Sequence, residues 1–287
     1  MIDLHCHTRI SDNSMTAEEV ILLAKQRHIT HLAITDHDTT EGLDAAVELG
    51  RLHGVSIIPG IEISACDFER RRKVHILGLY IKPGYGALER LCRPISDRRN
   101  GVSHEMVKKI AAAGYDISWE RVREYAQGSA GVYKQHIMHA LMDAGYCDGI
   151  YSPLYKALFS RPGGLAFIEL EYADMKAAVA AVAEAGGIPV LAHPGQLDSY
   201  DAIPGLCECG LGGIEVYHPS HNGEAIKKSL AYAGEYGLAV TGGSDFHGLY
   251  DELPDNKPGV GELGEECILE LEKRHHSIHH PRHPTSG

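Results

Sequence analysis

Residues 2–8 read IDLHCHT, and this stretch decides the fold. It begins apolar and ends in His5-x-His7. Strand side chains alternate, so residues two apart share a face. Both imidazoles can therefore reach one ion, while Cys6 points the other way. Working outward, TAEEVILLAKQRH (16–28) reads as a helix, with Thr16 as N-cap and Glu19 at the capping-box position. HLAITDHD (31–38) is a second strand ending in polar residues. Residues 41–53 read as a helix, VSIIPGIEIS (55–64) as a third strand and KVHILGLYI (73–81) as a fourth. From 87 to 160 the pattern is mostly helical. Beyond Ala166 the alternation returns: a helix at 173–185, strands in GIPVLAHP (187–194) and GGIEVYHP (212–219), a helix at 223–236 and a strand in LAVTGGSDFHG (238–248). Strands alternating with helices imply a parallel α/β core, barrel-like and interrupted by a helical insert. The expected division is a barrel of residues 1–86 and 164–266, an insert or cap of residues 87–163, and a His-rich tail of residues 267–287 without structure.

The 287 residues are 44% hydrophobic and 23% charged, which affords a sizeable core and excludes a disordered chain. A net charge of −12 argues against a nucleic-acid duplex as partner, because phosphate backbones need a basic surface. No apolar run approaches the roughly 20 residues of a bilayer span. The start, MIDLHCHT, lacks the basic-then-apolar plan of a signal peptide. Seven dispersed Cys fit a reduced cytoplasm better than a disulfide framework. The expectation is a cytoplasmic protein with no membrane partner. Between Arg90 and Lys134, nine basic residues face five acidic ones. In an acidic chain that asymmetry points to a cap facing an anion, although most such side chains on helices simply face solvent.

Metal-type side chains recur at the C-terminal ends of the strands. They are His5 and His7, with Asp12 five residues on, then Asp36-His37-Asp38, Glu62, His75, His193 and Asp245-x-His247. α/β barrels place active sites at that end. A lone strand His is more often structural, but placement repeated this many times is hard to attribute to chance. Mixed nitrogen and oxygen donors suit Zn, Mn or Fe, whereas Ca and Mg prefer all-oxygen shells. Three divalent ions would leave the site cationic even after Asp12, Glu62 and Asp245 are counted. Such a site attracts phosphate and lowers the pKa of a bound water. No side-chain nucleophile is needed. Ser244 lacks a nucleophile-elbow motif, GLGG (210–213) and TGGS (241–244) read as turns, and no Walker motif is present.

The motifs LHCHTRISD, ITDHDTTEG, GIEIS, HILG, AHP and GGSDFHG together resemble the PHP (polymerase and histidinol phosphatase) family, over roughly residues 1–265. The resemblance implies a distorted (β/α)7 barrel holding two or three Mn, Fe or Zn ions. Carried over by motif, one ion would lie on His5, His7, Glu62 and Asp245. A second would share Glu62 and add His75 and His193. A third would take Asp12, His37 and His247. The implied reaction is phosphoester hydrolysis by a metal-bridging hydroxide, with Asp245, His193 and His247 next to the chemistry and inorganic phosphate as product. The compact length and helical insert are similar to the small-molecule branch, which removes the phosphomonoester of nucleoside mono- or 3′,5′-bisphosphates. That branch carries Arg-Pro-His in the insert. This chain has Lys134-Gln135-His136, and Ser11-Asp12-Asn13 where the branch has Ser-Asp-Gly. These departures raise an alternative substrate, 5-phosphoribose 1,2-cyclic phosphate, cleaved as a diester and then as a monoester. Arg9, Lys134, His136, Arg161 and His221 are candidate substrate contacts.

Overall fold

The computed structural model describes residues 1–161, 163–253 and 255–279. In chain order its elements are β1 (Ile2–Asp3), α1 (Ala17–Gln26), β2 (His31–Ile34), α2 (Leu43–His53), β3 (Ser56–Asp67), β4 (Arg72–Leu79), α3 (Gly86–Ala112), α4 (Trp119–Tyr125), α5 (Lys134–Asp143) and α6 (Pro153–Phe159). They continue with β5 (Ala173–Asp174), α7 (Met175–Glu184), β6 (Ile188–Leu191), α8 (Pro194–Leu197), α9 (Ile203–Cys207), β7 (Gly213–Tyr217), α10 (Gly223–Tyr236), β8 (Ala239–Gly242) and α11 (Glu265–His279). The capping box of α1 is present: Thr16 accepts from the Glu19 amide, and the Glu19 carboxylate accepts from the Thr16 amide.

One sheet runs in the order β1-β2-β3-β4-β6-β7-β8, with β5 paired beside β3. Its two ends curl together. The Leu4 amide donates to Gly242 O at 3.0 Å, and Cys6 bridges Phe246 in parallel register, so the sheet is a nearly closed barrel. Most neighbours are parallel, as expected. β4 is the exception and runs antiparallel to both β3 and β6. Only residues 68–71 separate β3 from β4, too few for the crossover that parallel pairing demands.

Leu4, Ala33, Ile58, Leu77, Leu79, Val190 and Ala192 pack together as one apolar cluster inside the barrel. A second cluster joins the sheet to its surrounding helices, among them Val20, Ile21, Val179 and Val182. Between β4 and β5 the insert gathers a third, including Met106, Val107, Ile110, Ile137, Met138, Leu141 and Phe159. The tail corrects an expectation. Residues 267–279 are helical within α11, because Cys267, Ile268 and Leu271 recur at helical spacing and bury against the barrel cluster. His280 and His283 lie outside the described residues. Among the described residues no helix is long and apolar enough to cross a membrane.

Candidate metal centre

Most of the site residues follow the C-terminal ends of the parallel strands, and Glu62 and His75 enter from the β3–β4 hairpin. His5 and His7 follow β1 and are fully buried. His37 follows β2, His193 follows β6, and Asp245 and His247 follow β8. His193, Asp245 and Asp38 hold positive φ angles of 24°, 51° and 54°. Non-glycine residues adopt that region at a cost, so the surrounding structure is forcing these side chains into place.

All nine residues expected as ligands converge. His5 Nε2 lies 3.3 Å from Glu62 Oε2 and 3.3 Å from Asp245 Oδ1. His7 Nε2 lies 3.2 Å and 3.1 Å from the same two oxygens, and 3.2 Å from His5 Nε2. Glu62 Oε1 also meets His75 Nδ1 at 2.7 Å and His193 Nε2 at 3.0 Å. His37 Nδ1 is 3.1 Å from Glu62 Oε2. Asp12 Oδ1 is 3.3 Å from His247 Nε2, and the His7 and His247 rings stack at 4.2 Å. Four candidate clusters result: His5–His7–Glu62–Asp245, His7–Asp12–His37–His247, His37–Glu62–His75 and His5–His193–Glu215.

Hydrogen bonding shows what the first of these can hold. In its neutral form His5 donates Nδ1–H to Glu215 at 3.1 Å and leaves Nε2 as a bare lone pair. His7 Nδ1 lies 3.3 Å from Ser11 Oγ, whose own proton goes to Asp36 at 2.6 Å. Ser11 therefore accepts from His7, and His7 Nε2 is bare as well. His247 Nδ1–H donates to Asp245 O at 2.7 Å, so its Nε2 faces Asp12 without a proton. Lone pairs and carboxylates thus point at one another. Asp12 Oδ1, His37 Nδ1, His193 Nδ1 and Asp245 Oδ1 are buried without hydrogen-bond partners. Positive charge, from protons on the rings or from bound cations, reconciles such a set. Ligand atoms on a tetrahedral ion with bonds of about 2.0–2.1 Å sit roughly 3.3 Å apart, close to the spacing found here. The donor set therefore fits divalent ions.

The electrostatics agree. Burial pushes His5 down, but the carboxylates of Glu215, Asp245 and Glu62 together outweigh it and hold the imidazole well above its ordinary pKa. Burial pushes Glu62 up, and the rings of His37, His75 and His5 hold it well below the usual range. His37 is lowered to about 4, chiefly by burial.

Two residues of the centre lack any counterpart in the expected set. Glu215 is fully buried and accepts from His5 Nδ1–H and from the His193 amide at 2.8 Å. His218 Nε2 lies 3.3 Å from Asp245 Oδ2. A signal existed for both: Gly-Ile-Glu occurs at 60–62 and again at 213–215, and His-Pro at 193–194 and again at 218–219. Ser244 is structural, as expected, donating to Asp3 Oδ2 at 2.6 Å.

The insert reaches the centre through few side chains. Gln135 Nε2 donates to Asp12 Oδ2 at 3.2 Å and to Tyr151 OH at 3.1 Å. Tyr133 OH donates to His37 O at 3.3 Å. His136 Nδ1 accepts from the Tyr133 amide, so Nε2 carries the proton, and that atom is buried without a partner. Lys134 is half-buried with its ammonium over the Phe159 ring. Arg99, a residue the sequence did not single out, is buried and donates to Asp38 at 2.6 Å. Three candidate contacts are engaged elsewhere. Arg9 donates to Ser14 O, Arg161 forms a surface pair with Glu169 at 3.0 Å, and His221 uses both ring nitrogens on Val216 O and the Gly195 amide. Most other basic side chains of the insert face solvent or pair locally, as Lys108 does with Glu105.

Comparison with known proteins places this geometry. The PHP domain pattern matches residues 3–184. The chain is 48% identical over 252 residues to the phosphoribosyl 1,2-cyclic phosphate 1,2-diphosphodiesterase of Eggerthella lenta, covering 88% of this chain and 96% of that protein. It is 33% identical to the 3′,5′-nucleoside bisphosphate phosphatase of Chromobacterium violaceum, covering 86% and 87%. A solved structure from Bifidobacterium adolescentis superposes with a TM-score of 0.85 at 28% identity, covering 95% of this chain and 96% of that one.

Proposed function

The chain belongs to the PHP domain family, and from that premise we propose that it hydrolyses 5-phosphoribose 1,2-cyclic phosphate, opening the diester and then cleaving the resulting monoester. It is a hydrolase acting on phosphate esters. Two waters are consumed, and ribose 5-phosphate and inorganic phosphate are released. The observation that carries the choice of substrate is Lys134-Gln135-His136. Gln135 fastens the start of α5 to Asp12, a bond that a proline at this position cannot make. The 48% identity to the Eggerthella lenta protein supports the same choice.

Two or three divalent ions, Mn, Fe or Zn, would be held by His5, His7, Glu62 and Asp245, by Glu62 with His75 and His193, and by Asp12, His37 and His247. When bound they supply Lewis acidity towards the phosphoryl oxygens and lower the pKa of water. The chain's own residues do the rest. Glu215, Ser11 and the Asp245 carbonyl fix the tautomers of His5, His7 and His247. If Asp245, His193 and His247 ligate ions, they are poor proton donors. Among the described residues His136 Nε2–H is a buried donor without a partner, and it is assigned to a substrate oxygen. Lys134 supplies a point charge for phosphate, in place of a bidentate guanidinium.

The second reading is a phosphomonoesterase for nucleoside bisphosphates, favoured by the Chromobacterium violaceum relative. Assay of both substrates with the Mn-loaded protein separates them. Cyclic phosphate turnover at a kcat/KM about 100-fold above that for a nucleoside 3′,5′-bisphosphate is expected. Turnover of the bisphosphate alone refutes the proposal.

A further inference from the structure

The reversed strand β4 brings a second lysine to the mouth of the barrel. Because β4 is antiparallel to its neighbours, its N-terminal end lies where the parallel strands have their C-terminal ends. Lys73 and His75 are two residues apart and share a face. His75 points into the metal centre, at 2.7 Å from Glu62. Lys73 therefore rises from the same wall, roughly 7 Å nearer solvent. Its ammonium lies 5.1 Å from the centroid of the Tyr172 ring. Lys134, at the start of α5, has its ammonium 5.5 Å from the Phe159 centroid. Gln135, the next residue, is the one bonded to Asp12.

Among the described residues neither ammonium has a carboxylate within ion-pairing distance, although the chain is acidic overall. Lys73 lies two residues along β4 from His75, and Lys134 is next to Gln135, so both flank the same centre; burial, with a smaller contribution from the charge of Lys73, lowers Lys134 to about 8. Two ammoniums flanking the mouth of the centre without carboxylate partners offer a receptor for an anion. Each is backed by an aromatic face that tolerates a cation. The metal centre lies further in and would engage the phosphate being cleaved. The lysines stand outside it, so they would meet a phosphate carried elsewhere on the same substrate.

We propose that Lys73, together with Lys134, binds the phosphate group of the substrate that the reaction leaves intact, making Lys73 a specificity-determining residue. The assignment of that group as the 5-phosphate of a ribose cyclic phosphate rests on the function proposed above. The lysine pair itself requires only a sugar or nucleoside with a second phosphate.

Lys73 is exposed, so Lys73→Met is expected to fold normally, as circular dichroism will show. Binding of ribose 5-phosphate to the purified full-length protein is measured by calorimetry, with ribose as the control. Lys73→Met should weaken ribose 5-phosphate about tenfold, and Lys73→Arg should restore most of it. In steady state the same variant should raise KM for 5-phosphoribose 1,2-cyclic phosphate by a like factor with kcat unchanged. It should leave KM for ribose 1,2-cyclic phosphate, which lacks the 5-phosphate, where it was. If the wild type turns over no cyclic substrate, the substrate reading fails. The lysine pair is then still decided by calorimetry and by the KM ratio of a nucleoside 3′,5′-bisphosphate to a nucleoside monophosphate. Equal affinity of wild type and Lys73→Met for ribose 5-phosphate, or an equal KM rise for substrates with and without the second phosphate, overturns the proposal.

Discussion

Replacing Glu215 by Gln keeps the side chain's size and removes its charge. The carboxylate now accepts from two donors, His5 Nδ1–H at 3.1 Å and the His193 amide at 2.8 Å. Gln has one acceptor oxygen. If that oxygen stays with the His193 amide, the new NH2 faces His5 Nδ1 and drives the imidazole proton to Nε2. That proton then points at the atoms of His7, Glu62 and Asp245, where an ion would sit. Loss of such a partner behind a metal-ligating His costs about 10–100-fold in metal affinity, or about 1.4–2.8 kcal/mol. The assay is metal content by elemental analysis after dialysis against graded chelator, alongside far-UV circular dichroism. We expect a folded protein that loses metal at lower chelator and recovers most of its turnover in excess Mn. A Gln variant that retains metal as tightly as the wild type would refute the tautomer argument.

Other perturbations test separate parts of the structure. Asp12→Ala or His37→Ala removes donors from the cluster that includes His7 and His247, and should lower the ions bound per chain by one and reduce turnover with little change in melting temperature. Full activity with two ions per chain would contradict a three-ion centre. Leu271→Ala empties a fully buried position of α11 and should cost about 2–5 kcal/mol by chemical denaturation; a change under about 0.5 kcal/mol would mean α11 does not dock. The pH profile should show KM rising as pH climbs through about 8, where Lys134 loses its proton and its attraction for phosphate. Lys134→Arg should move that limb upward, and an unshifted limb would assign it to another group.

Much of the architecture was legible because its signals are periodic and local. Thr16 and Glu19 announce α1, and His5-x-His7 announces an inward face. The direction of β4 was not read, although the short interval between Asp67 and Arg72 contained it: four residues make a turn and leave no room for a crossover helix. The tail misled through composition. Its histidines drew attention from Cys267, Ile268 and Leu271, whose spacing is helical. The nine residues of the centre, Glu62 among them, were legible because each carries a lone pair and most follow a strand, while Glu62 and His75 lie within β3 and β4. Glu215 was harder, since it lies within β7 among apolar neighbours. Arg99 was hidden among exposed basic residues on α3. Only the three-dimensional arrangement shows that it turns inward to Asp38.

Helix α3 is rooted at both ends in different cores. Ala87, Leu88 and Cys92 sit in the cluster between sheet and helices, while Met106, Val107 and Ile110 sit in the cluster of the insert. A strut of this kind, with Pro94 inside it, sets the cost of any hinge. To swing the insert away as a lid, the molecule must either break the strut in mid-span or uproot one of its ends, and each large side chain withdrawn costs on the order of 2 kcal/mol. Access to the metal centre is then easiest through movements of side chains and loop tips.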